Sequence, residues 1–228
     1  MRNKIIFAAI AAIAAGAFFG CSSGGSNEKK VYTKIAADVK PADLVLQPKE
    51  PIVVELPDGV EIKAMTLNIY GGHYATADEI AAFLKPLDLD VLAIEECPDS
   101  FREVFAEKSG LPYYQGRDVV LFSKTELKNA ETVNLRGTRQ FNHATTVVGG
   151  VEFSYYATHL SWDVDGSLEC RKFVDEFLSK DPVPRLVLMG DFNDETFSGQ
   201  ITILNEVVTD AASAMGWFPG ERISWPSF

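Results

Sequence analysis

Residues 186–194 read Leu-Val-Leu-Met-Gly-Asp-Phe-Asn-Asp, and no other stretch constrains the chain as much. Four consecutive apolar residues, Leu186 to Met189, suit a strand buried on both faces. The run stops at Gly190 and delivers Asp191 and Asn193 at its C-terminal end, a common way to mount a site on a rigid scaffold. Asp191 could accept a proton or bind a metal, and Asn193 could donate hydrogen bonds to an anionic substrate. Taken alone, the stretch fits a buried strand with an Asp-Asn turn equally well, because both residues favour turns.

The remaining chain supplies more strands that end in polar groups. Residues 52–56 could form a short strand before the turn Pro57-Asp58-Gly59. Residues 61–70 read as a strand that ends in Asn68-Ile69-Tyr70-Gly71-Gly72. Thr76 and Glu79 predict a capping box, followed by a helical apolar face of Ile80, Phe83, Leu84 and Leu87. Residues 90–95 form the next predicted strand, which closes on Glu95-Glu96. Ser100 and Glu103 predict a second capping box, with Phe101, Val104 and Phe105 facing in. Strand, helix, strand, helix is the pattern of βαβ units. Four strands are then expected at 118–123, 131–135, 145–148 and 151–158, with Gly149-Gly150 turning the last pair. A helix over 167–179 would share Cys170, Phe173, Val174, Phe177 and Leu178 on one face. A short helix is expected over 201–208.

The N-terminus has a different logic. Arg2 and Lys4 precede an apolar, Ala-rich run that ends at Gly20-Cys21, which predicts residues 1–20 as an export signal. Residues 18–21, Phe-Phe-Gly-Cys, resemble a lipobox. Its usual motif has Leu and a small residue where this chain has two Phe. That reading makes Cys21 the acylated first residue of an exported, membrane-anchored bacterial lipoprotein, periplasmic or at the cell surface. Residues 21–50 then form the lipidated Cys and a flexible tether, and 51–228 the domain. The alternative is an ordinary secretory signal with a cysteine nearby. Loss of residues 1–20 removes two positive charges and no negative one, moving the formal charge from −11 to −13. So acidic a domain has no global field that attracts nucleic acid. Cys97 and Cys170 remain. An exported protein could pair them, but Cys170 falls on an apolar helix face, so buried free thiols are expected.

Four strand ends now carry Asn68, Glu96, His159 and the Asp191/Asn193 pair. A carboxylate beside an amide oxygen suits loosely held Mg²⁺, and Mn²⁺ fits the same donors. A His and an Asn can neutralise a phosphorane, and an Asp can align or deprotonate water. Each residue also has a plain reading: Asn68 as a turn residue, Glu96 as a partner of Arg102, His159 as a hydrogen-bonded core histidine. Arg139 is a candidate for reaching a substrate phosphate, with a solvated arginine as its plain reading. Glu95, Arg117 and Trp162 are secondary candidates.

At these residues the chain resembles the endonuclease/exonuclease/phosphatase (DNase I-like) superfamily. Residues 65–69, Met-Thr-Leu-Asn-Ile, are similar to the family's first motif. Residues 90–96, Asp-Val-Leu-Ala-Ile-Glu-Glu, are similar to its second, with Glu95 where the family usually has Gln. Residues 157–160 match its "T-H-L" motif and residues 190–193 its "G-D-F-N" motif. The resemblance implies a two-sheet α/β/β/α sandwich. It implies Glu96 and Asn68 at the metal, Asp191 at the nucleophilic water, and His159 and Asn193 at the phosphate. The implied activity is metal-dependent hydrolysis of a phosphodiester or phosphomonoester, with a phospholipid, small phosphoester or nucleic acid as substrate. The acidic charge and the expected export favour the first two. One motif is expected to be absent. The family closes with "S-D-H", whereas this sequence reaches Phe228 on a segment resembling what precedes it. That expectation implies either a shortened sequence lacking its last strands or a catalytically impaired, surface-anchored binding protein.

Overall fold

A computed structural model describes residues 5–6, 60–73, 75–162, 164–194 and 199–210. Cys21, the tether, the strand expected at 52–56 and the C-terminal segment from 211 lie outside the described residues.

Two mixed β-sheets stack face to face. The first has the order β2 (Ala64–Asn68), β3 (Val91–Glu95), β5 (Val119–Ser123), β4 (Tyr113–Gln115). The second runs β10 (Thr209–Asp210), β1 (Ile5–Ile6), β9 (Leu186–Asp191), β8 (Val151–His159), β7 (Arg139–Val148), β6 (Lys128–Arg136). Ile5–Ile6, within the segment read as an export signal, pair in parallel with both β9 and β10. Helices α1 (Ala77–Leu84) and α2 (Asp99–Ser109) cover the outer face of the first sheet. Helices α3 (Val164–Phe173) and α4 (Gly199–Leu204) cover the second. The result is the expected α/β/β/α sandwich.

Strand alternation builds these layers. Ala64, Val91, Ala93, Val119 and Leu121 point between the sheets and meet Phe153, Tyr155, Ala157, Val187 and Met189. Their sequence neighbours Met65, Leu67, Leu92, Ile94, Val120 and Phe122 point outward, against Ile80, Leu84, Phe101 and Phe105 of the helices. On the far side Tyr156 and Leu188 meet Cys170, Phe173, Val174 and Leu178. Both faces of the central strands are thus buried, which is why they read as unbroken apolar runs.

Several boundaries differ from the sequence reading. The Thr76/Glu79 capping box is present. The Ser100/Glu103 box is not: Pro98 in an extended conformation is the N-cap, so Ser100 already lies inside α2. Val104 is exposed, although its neighbours Phe101 and Phe105 are buried. Strand β7 begins at Arg139 and not at 145, because Gln140 and Asn142 are buried polar residues that hide the apolar alternation. Asn142 Nδ2 donates to the Val119 carbonyl, so its burial is compensated. Helix α3 starts at Val164 and runs into a π-helical turn, Val174–Leu178. The short strand β4 had no apolar signature, being largely exposed.

Candidate functional site

Parallel pairing brings the strand ends into line. Asn68 is opposite Glu95 where β2 meets β3, and His159 is opposite Asp191 where β8 meets β9. The C-terminal edges of both sheets therefore meet at one seam. The amide Nδ2 of Asn68 spans it, donating to Glu96 Oε1 at 3.1 Å and to Asp191 Oδ2 at 2.9 Å. Its Oδ1 accepts from the Tyr70 backbone N–H at 2.9 Å, which fixes the orientation of the amide. Asp191 is only 5% exposed, and its Oδ1 accepts from the backbone N–H of Asn193 at 2.9 Å. Asn193 Nδ2 donates to the Leu160 carbonyl at 2.8 Å, leaving the amide a second N–H. His159 Nε2 faces Asp191 Oδ2 at 3.9 Å.

The backbone is unusual here. Tyr70, Glu96 and Asn193 all have positive φ (47°, 53° and 51°), a conformation that non-glycine residues adopt at a cost of roughly 1–3 kcal/mol each and that clusters at functional sites. Gly190 has φ 145°, and a Cβ there would lie 1.9 Å from the Thr158 carbonyl oxygen. Only glycine lets β9 approach β8 closely enough to set Asp191 beside His159.

Asp118 was not singled out from the sequence. It precedes β5, and its Oδ2 bonds His159 Nδ1 at 2.9 Å, with Arg139 Nη1 at 3.5 Å. The Asp118 carbonyl accepts from Cys97 N, which ties this loop to the end of β3. Its signal was an aspartate at the start of an apolar run, whereas the sequence reading attended to strand C-terminal ends. Arg139, the candidate phosphate ligand, is ion-paired to Asp118 at the edge of the site. Arg102 pairs with Asp99 and Glu103, not with Glu96. His143 is structural: it lies within β7, stacks on Tyr156 and bonds Ser154 Oγ at 2.8 Å.

Glu95 sits beneath the site, almost fully buried, and accepts from Thr66 Oγ1 at 2.6 Å. Burial pushes its carboxyl up to about 8. The Thr66 hydrogen bond opposes the rise, and the charges of Asp191 and Asp118 add to it. At neutral pH Glu95 is largely a neutral acid, and it does not add a full charge beside Glu96. The two cysteines are free and buried, and burial pushes both thiols up to about 12.

Among the described residues no group of three or more His, Cys, Asp or Glu gathers as a metal cluster. The donors that do meet are oxygens: the Glu96 and Asp191 carboxylates around the Asn68 amide. Among the described residues neither carboxylate has a lysine or arginine partner. That set fits a hard cation held by one or two carboxylates and completed by water, such as Mg²⁺ or Mn²⁺.

Residues 65–225 match the Endonuclease/Exonuclease/phosphatase family. No curated protein sequence matches the chain. Similar solved structures include beta toxin of Staphylococcus aureus, as a β-hairpin deletion mutant (14% identity, TM-score 0.52, 65% of this chain and 73% of that one). Sphingomyelinase C of Streptomyces griseocarneus aligns at 20% identity with TM-score 0.51, over 64% of this chain and 68% of that one. A humanized D. rerio TDP2 with 14 mutations aligns at 15% identity with TM-score 0.50, over 68% and 67%. At such identities these likenesses establish the fold.

Proposed function

This chain belongs to the Endonuclease/Exonuclease/phosphatase family, and from that membership we propose that it hydrolyses a phosphoric ester by direct attack of water, assisted by a divalent cation. The observation that carries the reading is the seam itself: Asn68 bonded at once to Glu96 and Asp191, with His159 facing the same carboxylate.

Glu96 would hold the cation, with Asn68 positioning the Glu96 carboxylate through Nδ2; when bound, the cation supplies Lewis-acid stabilisation of charge on the phosphoryl oxygens. Asp191 orients the attacking water and takes its proton, its own position fixed by Asn68 and by the Asn193 backbone. His159 and Asn193 donate to the pentacovalent phosphate, where charge accumulates in the transition state. Asp118 holds the His159 ring through Nδ1 and directs Nε2 at the reacting centre. One of the similar structures is a sphingomyelinase, which supports a phosphodiester joined to an apolar group as the substrate class.

The test is Mg²⁺-dependent hydrolysis of bis(p-nitrophenyl) phosphate by the chain carrying Cys21→Ser, beside Glu96→Ala and Asp191→Ala. Turnover that needs the cation and disappears in both variants supports the proposal. A folded protein without turnover at any Mg²⁺ or Mn²⁺ concentration would overturn it and favour a binding protein built on the same fold.

A further inference from the structure

Three exposed apolar side chains follow His159 in sequence. Trp162 is 74% exposed, Val164 72% and Leu168 48%. Val164 and Leu168 are four apart on α3, so they share one helix face, and Trp162 lies two residues before Val164. Isolated surface apolar residues need no explanation, but three together beside a site do.

This knuckle is held firmly. Ser161, just before Trp162, donates through N and Oγ to the two carboxylate oxygens of Glu169, at 2.8 and 2.9 Å. Its carbonyl accepts from Gln200 Nε2 at 2.9 Å, and both Glu169 and Gln200 are buried. A Cβ at Gly166 would lie 2.1 Å from the Ser161 carbonyl oxygen, so the first turn of α3 is pressed against the loop. The aromatic ring is thus presented outward by a seat built on buried polar partners.

Two observations select what this surface meets. Trp162 is three residues past His159, so the chain between them spans about 10 Å at most. A ring that entered the boundary between lipid headgroup and acyl chain, at a depth of roughly 5–10 Å, would therefore hold the site within reach of the headgroups. Charge selects further. The sequence contains no Lys or Arg from Gln140 to Cys170, and Asp163 and Asp165 alternate with the apolar residues. Polyanions and anionic lipids are held by free basic residues, whereas the cations flanking this rim are engaged: Arg136 with Asp165, Arg139 with Asp118, Arg171 with Glu206, and Lys172 with the Asn134 and Leu135 carbonyls.

We propose that Trp162, Val164 and Leu168 form an interfacial contact that docks the site on a zwitterionic phospholipid surface. The choice of lipid rests on the phosphoester reading above; the binding itself does not need turnover.

The experiment is flotation of the Cys21→Ser chain with phosphatidylcholine vesicles, phosphatidylglycerol vesicles, or single-stranded DNA as a separate binding control. The comparison is the triple variant Trp162→Ser, Val164→Ser, Leu168→Ser. Parent and variant share the same N-terminal segment, so their difference reads the knuckle. The expected result is at least a tenfold weaker partition of the triple variant into phosphatidylcholine. Trp162→Phe should retain most binding, and the triple variant should keep an unaltered circular-dichroism spectrum. Equal partition of parent and triple variant would overturn the proposal. So would preference for phosphatidylglycerol or DNA, or a knuckle-dependent dimer in sedimentation without vesicle binding. If the parent floats but does not hydrolyse bis(p-nitrophenyl) phosphate, the hydrolase reading fails and the docking surface stands.

Discussion

Asn68 Nδ2 donates to Asp191 Oδ2 at 2.9 Å although 123 residues of chain separate them. The bond crosses from one sheet to the other, and the same nitrogen also reaches Glu96. A single amide thus stands between two carboxylates that would otherwise face each other without a shared donor.

Replacing Asn68 by Ala should therefore affect both function and stability. Leaving carboxylate acceptors without their donor costs about 1–3 kcal/mol. Losing an oriented polar group of this kind lowers turnover on the order of 10²-fold. Urea midpoints and kcat on bis(p-nitrophenyl) phosphate check the two effects separately. An Asn68→Ala protein with parental turnover would remove the amide from the mechanism.

Glu95 predicts a pH signature. Its carboxyl titrates near 8 when folded and near its ordinary 4.5 when unfolded. Between those values the folded protein holds a proton that the unfolded chain has released. The contribution to stability is therefore complete below about 4.5 and is lost as pH rises towards 8, at up to about 1.4 kcal/mol per pH unit. In EDTA the urea midpoint of the parent should fall across this window. Glu95→Gln, neutral throughout, should show a flatter profile and be the more stable protein at pH 8. Parallel profiles would contradict the burial argument.

Asp118→Asn keeps the size of the side chain but removes the charge that holds His159. General acid–base groups contribute about 10²–10⁴-fold, so a loss of roughly 10²-fold in kcat is expected with little change in KM. Arg139→Ala leaves the Asp118–His159 bond in place and should cost less than about tenfold. Steady-state kinetics of the two variants separates the positioning role of Asp118 from a merely electrostatic one.

Gly190→Ala should be among the most damaging single substitutions. The added Cβ would overlap the Thr158 carbonyl, and φ 145° is hostile to any side chain. A loss of roughly 3 kcal/mol or more is expected, read as a lowered midpoint in thermal or urea unfolding.

Much of this arrangement was legible before any coordinates. The apolar runs that end at Asn68, Glu96, His159 and Asp191 are strands buried on both faces, and their polar ends do converge. What stayed hidden has physical causes. Strand β7 buries Gln140, and Asn142 with a hydrogen bond to the Val119 carbonyl, so its alternation carries polar letters at interior positions. Asp118 enters the site from the beginning of a strand, through an antiparallel neighbour that reverses which end faces the seam. The start of α2 is set by the fixed φ of Pro98, which overrides the better-known Ser/Glu spacing.

The hairpin at Gly149-Gly150 divides the site's ownership. Residues before it supply Asn68, Glu96 and Asp118, and residues after it supply His159, Asp191 and Asn193. Neither portion holds a usable half. A ribosome must pass codon 193 before any of the chemistry exists, and one protease cut that lets the portions part abolishes it. Activity in this chain would thus report intactness, and the two portions expressed separately would form a natural pair for complementation, silent apart and active only on reunion.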